Sequence, residues 1–209
     1  MASRTVPGHG ADDFDRALRD LHAVRLRPEV RLTEVPAPTR IAPHAVAMTA
    51  DVLAGGHPDR ATPHGPDEEH DAEDDEVAAG RFVLLHDPSA PEPWGGQWRV
   101  VTFARAELEP ELAGDPLLGE VGWSWLTDAL AAHGLDVRHE AGTVTRVVSE
   151  SFADLADREP TVEMEIRASW TPTGDDAGGH LRAWADMLCT IGGLLPLPDG
   201  VVALPGRRR

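Results

Sequence analysis

The sequence predicts an α+β two-layer sandwich: a twisted antiparallel sheet of about five strands with about three helices, in the order α-β-β-β-α-β-β-α. Three observations carry that reading. Over Thr161–Trp170 every second residue is apolar, so Val162, Met164, Ile166, Ala168 and Trp170 face one way and Thr161, Glu163, Glu165, Arg167 and Ser169 the other. Such alternation belongs to a strand with one buried and one wetted face. Thr143–Phe152 reads as its partner strand, and His180–Ile191, which follows, repeats apolar residues at helical spacing. Val162, Met164, Ile166, Ala168 and Trp170 are therefore expected to meet Leu181, Trp184, Leu188 and Ile191.

Earlier segments supply the rest of the order. Residues 1–10 read as a flexible tail. Phe14, Ala17, Leu18, Leu21 and Val24 recur at helical spacing, with Asp12 and Asp13 where a helix N-terminus favours negative charge, so a helix is expected over about 11–26, ending before Pro28. Arg31–Val35 is a short strand ahead of Pro36-Ala37-Pro38, and Ile41–Leu53 a second extended segment. Arg81–His86 is a strand closed by Asp87-Pro88, and turn-rich Pro91–Gly96 joins it to Gln97–Arg105 as a hairpin. Asp115 suits an N-cap and Pro116 a first helical position; Leu118, Val121, Trp125, Leu126, Ala129 and Leu130 form the stripe, and Gly134 the stop. A strand with Val137 precedes Thr143. One domain over 11–205 is expected, followed by a basic tail at 206–209.

Gly55–Gly80 breaks this pattern. It has no aromatic residue and one valine, and Asp67–Glu76 holds eight acids, nearly half of the net charge of −17. A segment that repels itself and buries so little is expected to be a disordered insert at about 55–80, whose removal (residues 57–79) spares the fold.

Composition excludes several functions. Lysine, asparagine and tyrosine are absent, as in chains from GC-rich genomes. Without lysine there is no pyridoxal Schiff base, no Walker lysine and no kinase ATP lysine. The acidic balance argues against direct nucleic-acid binding and against an anionic membrane surface. The first ten residues lack an apolar core, no apolar run is long enough to span a bilayer, and the single cysteine, Cys189, allows no internal disulfide. A reduced, cytoplasmic location is expected, with no cofactor.

The remaining motifs are weak. His57, His64 and His70 lie in the acidic insert, where a metal site would lack supporting contacts. Gly122-Trp123-Ser124-Trp125-Leu126 has half of a nucleophile elbow but not its final glycine or preceding strand. Cys189 reads as a small buried hydrophobe. Trp94, Trp98 and Trp123 are candidates to line a partner or ligand groove, and Arg99, Arg105, Arg146 and Arg167 to hold an anion; the competing reading is packing for the tryptophans and pairing with Glu150, Glu163 and Glu165 for the arginines.

Leu84-Leu85-His86-Asp87-Pro88, the run Trp94-Gly95-Gly96-Gln97-Trp98-Arg99-Val100-Val101, Gly122–Leu126 and Trp184 with Gly192-Gly193-Leu194-Leu195-Pro196 resemble an uncharacterised actinobacterial family, number three thousand in the domain-of-unknown-function series. The resemblance spans most of the chain outside the insert and implies no activity or catalytic residues. It does imply a gene neighbourhood that often includes a ribonuclease-D-like exonuclease. The element order is also similar to that of the type III secretion chaperone-like fold, which implies a sheet with helices packed on one side.

The expected function is non-catalytic binding or adaptor work on a protein partner, a second copy of the chain included. The alternative is a small-ligand-binding protein or enzyme whose site joins dispersed carboxylates and His86, His133 or His139.

Overall fold

The computed structural model describes residues 9–54 and 76–194. His57, His64, His70, most of the acidic run and both chain ends lie outside the described residues. The elements are α1 (His9–Ala23), β1 (Val30–Val35), β2 (His44–Leu53), β3 (Glu76–His86), β4 (Trp98–Leu108), α2 (Leu118–Ala132), β5 (Val137–Ser149), β6 (Thr161–Pro172) and α3 (Ala177–Ile191). The strands form one antiparallel sheet in the order β1-β2-β3-β4-β6-β5. The α+β class holds, with six strands where about five were expected, because the short β1 segment pairs fully with β2.

The helices lie on one face. Along β6 the predicted alternation appears: Val162, Met164, Ile166, Ala168 and Trp170 are all buried, as are Leu181, Trp184, Leu188 and Ile191 of α3. Yet α3 lies mainly over β3 and β4, the middle of the sheet, with α1 and α2 on its flanks. Gly80 of β3 makes that seat. A Cβ there would stand 2.5 Å from the Phe103 carbonyl oxygen, 2.7 Å from the Trp184 ring and 3.0 Å from Leu188. Without it, the Trp184 indole could not reach the strand or tilt against Phe82, 5.7 Å away between centroids. Asp176 caps α3, its carboxylate accepting from the Gly179 N–H at 2.6 Å.

Several boundaries move. β3 starts at Glu76, inside the segment assigned to the insert, and Ala78 is buried between Val52 and Ala106. A deletion that spares the fold must therefore stop before Glu76. The separate strand near Val137 and the partner strand at 143–152 are one 13-residue strand, β5, bent by a bulge between Arg138 and Ala141. α2 begins at Leu118 with Leu117 at the N-cap and no side-chain cap: Pro116 and Leu117 form a turn, and Asp115, accepting from the Leu117 N–H at 2.8 Å, holds that turn rather than the helix end. The buried stripe of α2 is Leu118, Gly122, Leu126 and Leu130, an i+4 row that leaves Val121 exposed. Gly134 at φ 64° does end the helix, with the Leu135 N–H donating to the Leu130 carbonyl.

The second sheet face is only partly wet. Ala47, Val83 and Leu85 are buried there beneath Val35, Ala37, Ala42 and Trp94. The unbroken run Phe82-Val83-Leu84-Leu85 reports this, since a strand covered on both faces does not alternate.

Gly80→Ala is expected to destabilise the protein by about 1–3 kcal/mol, because two of its new neighbours are a backbone oxygen and a locked indole. Gly119→Ala, with nothing within 4 Å of its Cβ in α2, should be neutral or stabilising. Urea denaturation of the two variants measures the contrast.

Candidate functional site

The three tryptophans part company. Trp94 covers the small core on the second face, Trp98 sits on the helix side, and Trp123 lies over Gly142 of β5, where a Cβ would stand 2.5 Å from its ring. They do not line a common groove.

The arginines divide as well. Arg99, Arg105 and Arg167 share the second face, opposite to buried Val100, Thr102 and Ala104. Arg146 pairs with Met164 across β5–β6, so it belongs to the helix face, and it donates to the Asp115 carbonyl. Arg99 is engaged within the chain: it donates to the His139 carbonyl at 2.9 Å, the Thr171 hydroxyl at 3.1 Å and the Ser169 hydroxyl at 2.6 Å. It thereby pins the bulge, where His139 sits at φ 52° with its ring against Gly95. Arg105 pairs with Glu76 at 3.5 Å, and Arg167 with Glu165 at 2.7 Å while also lying over the Phe103 ring. Arg81, Arg167, Val101, Phe103 and Thr143 border a shallow apolar depression of about 510 Å³ on this face.

The other motifs are structural. Ser124 lies inside α2 and donates to the Val121 carbonyl at 2.9 Å, so no elbow forms. The Cys189 thiol is buried and pushed up to about 12 by that burial, which leaves it unreactive. His133 bridges α2 and α3 through Asp186 at 2.8 Å. Among the described residues no group of three His, Cys, Asp or Glu side chains could hold a metal ion.

A pocket of about 310 Å³ opens at the corner where α1, the start of β4 and the β6–α3 turn meet. Its apolar lining is Ala17, Leu84, Trp98 and Ala177; its polar lining is Asp13, Arg16, Thr173, Asp175 and His180. Asp13 and Arg16 form a solvent-exposed ion pair on α1. The Trp98 ring is held in an aromatic stack, with His86 at 4.1 Å and Phe14 at 6.2 Å, and His44 beyond at 5.3 Å from Phe14. The family-like segments build this corner: Asp87 accepts from the Ser89 N–H, its own N–H donates to the Gln97 carbonyl, and Gly95 at φ 66° turns the chain into β4.

His180 defines the chemistry of the pocket. It is 2% exposed, and its Nδ1 accepts from the Trp170 indole N–H at 3.2 Å. An indole N–H only donates, so Nδ1 is unprotonated and the neutral ring carries its proton on Nε2. Burial lowers the imidazole pKa to about 4, against the opposing charge of Asp176. At neutral pH His180 is therefore a fixed hydrogen-bond donor and not a base; the carboxylates of the lining are Asp13, which is paired with Arg16, and Asp175. His86, also buried, is shifted downward by burial and by His44, and its Nδ1 has no partner among the described residues. Sequence reasoning named His86, His133 and His139 and passed over His180. Asp13, Arg16, Thr173 and Asp175 join it only through the fold.

Comparison with known proteins places the chain. It belongs to the family described as Protein of unknown function (DUF3000). The match runs over residues 10–202, from α1 through β6 and α3 and beyond. No curated protein and no solved structure matches the chain. No described helix is long and apolar enough to cross a membrane.

The His180 shift makes stability depend on pH. The unfolded imidazole titrates near 6.5 and the folded one near 4. Between those values the unfolded chain binds more protons, so stability is complete above about pH 6.5 and falls as pH drops toward 4, by roughly 3 kcal/mol from this group. His180→Gln retains an acceptor for Trp170 and does not titrate, so its urea midpoint should fall less between pH 7 and 4 than that of the parent protein.

Proposed function

We propose that the protein is a non-catalytic binding protein and that the corner pocket is its ligand site. The observation that carries this reading is His180: a neutral donor with its acceptor nitrogen already used by Trp170, beside the Trp98 ring and the carboxylates of Asp13 and Asp175. A ring face, one fixed donor and two acceptor groups suit a small flat ligand that carries both a hydrogen-bond acceptor and a donor or positive group. The Thr173 hydroxyl of the lining donates to the Asp136 carbonyl at 2.8 Å and not to a carboxylate of the pocket, which favours binding over turnover. The lone buried thiol suits a reduced, cytoplasmic setting.

A second reading, an adaptor for a protein partner, is favoured by the open sheet face. Val101 is 39% exposed there beside Phe103, between Arg81 and Arg167. A short apolar strip bordered by arginines suits an extended acidic segment of a partner.

An NMR fragment screen distinguishes the two. Ligands are expected to shift the Trp98 indole and the Thr173–Asp175 amides together, and Asp175→Ala should weaken them by roughly tenfold, the loss of one charge-assisted hydrogen bond. Hits confined to Val101 and Phe103 would transfer the function to the sheet face, and chemical conversion of a bound compound would end the non-catalytic reading.

A further inference from the structure

Of the eight exposed large apolar side chains among the described residues, six gather around one sheet edge: Leu117, Val121, Val147, Val148, Phe152 and Leu155. β5 is that edge, with β6 on one side and, among the described residues, no strand on the other. The first turns of α2 run beside it, as the Arg146 bond to the Asp115 carbonyl and the approach of Val144 to Gly122 record. Nearly every residue of β5 is exposed except Val137 and Val144, which are half-buried. Long apolar edges invite another strand, and proteins usually blunt them. The bulge at His139 blunts the first part of β5, and in the later part Arg146 is the charged side chain on the helix face, which a partner strand must match with an acid. The later part, from Ala141 to Ser149, pairs regularly with β6 and leaves its outer side open.

We propose that the chain forms a homodimer by antiparallel pairing of β5 with β5 of a second copy, with Val148 on the two-fold axis. The two-fold stands perpendicular to the sheet, so each residue meets one of its own face and a single residue lies opposite itself. Centring on Thr143 or Val144 would drive the partner across the bulge. Centring on Thr145 places Glu140 against Glu150, and centring on Arg146 places that arginine against itself. Centring on Val148 sets Arg146 opposite Glu150 twice, Val148 opposite Val148 and Val144 opposite Phe152, all on the helix side. Glu150 and Phe152 lie just past the end of β5, and the pairing extends the strand through them; the chain is already extended at Phe152, φ −132° and ψ 165°. Leu117 and Val121 border the same side, so the pairing joins the apolar cluster of each copy to that of the other.

The test uses the full chain in analytical ultracentrifugation, with circular dichroism to check folding. The parent should be a dimer. Arg146→Glu or Glu150→Arg, each placing like charges opposite each other twice, should weaken it by roughly tenfold or more, and the double swap should restore it. Val148→Cys should give a disulfide-linked dimer on oxidation, whereas Thr143→Cys should not, the native Cys189 being buried. A folded monomeric parent, a dimer indifferent to both single swaps, or cross-linking through position 143 rather than 148 would each overturn the proposal.

Discussion

Everything else in this fold depends on α3 reaching the sheet. Gly80 is the one position of β3 where a side chain would collide at once with the opposite strand's carbonyl, the Trp184 ring and Leu188. With hydrogen in place of a methyl group, Trp184 and Leu188 fill the space between helix and sheet, and both are fully buried. A helix so seated sets the positions of its neighbours. α2 locks to it through His133 and Asp186, and α1 lies along its other flank. Close packing of this kind leaves little room for adjustment, so the interior is scaffold and chemistry is pushed to its margins.

The corner pocket is such a margin. α3 carries His180 in its first turn, and the Trp170 indole on β6 sets the tautomer of that ring. Trp98, at the start of β4, is held by His86 and Phe14. Two of the polar groups come from α1 and two from the turn that precedes α3. The site is thus built where three helix or strand ends meet, with its aromatic wall and its donor fixed by residues that are themselves buried. Preorganisation of that sort suits selective binding, because little ordering remains to oppose the ligand.

Much of this was legible in the sequence, and the limits have physical reasons. The β6 alternation, the α3 stripe and the Gly134 stop are local patterns, and each appears where expected. Arg146 alternates in step with Val144 and Val148, so its place on the helix face was there to be read. The start of β3 was hidden because Glu76 continues the acidic run, and β5 looked like two strands because the bulge interrupts its period. Arg99 is expected from the sequence to hold an anion or pair with a glutamate of the sheet face, yet its partners are a carbonyl of β5 and two hydroxyls of β6, some 40 to 72 residues away along the chain. His180 gave no local sign at all: its meaning depends on Trp170 ten residues earlier and on α1 at the far end of the sequence.

The claim on which the binding account rests is the state of one imidazole. Nitrogen NMR of His180 in ¹⁵N-histidine-labelled protein, followed from pH 8 to pH 5, measures it directly. The account predicts a neutral ring protonated on Nε2 throughout that range, in keeping with a pKa of about 4. Titration near the ordinary value for histidine, or a proton on Nδ1, would contradict it and restore His180 as a candidate acid or base.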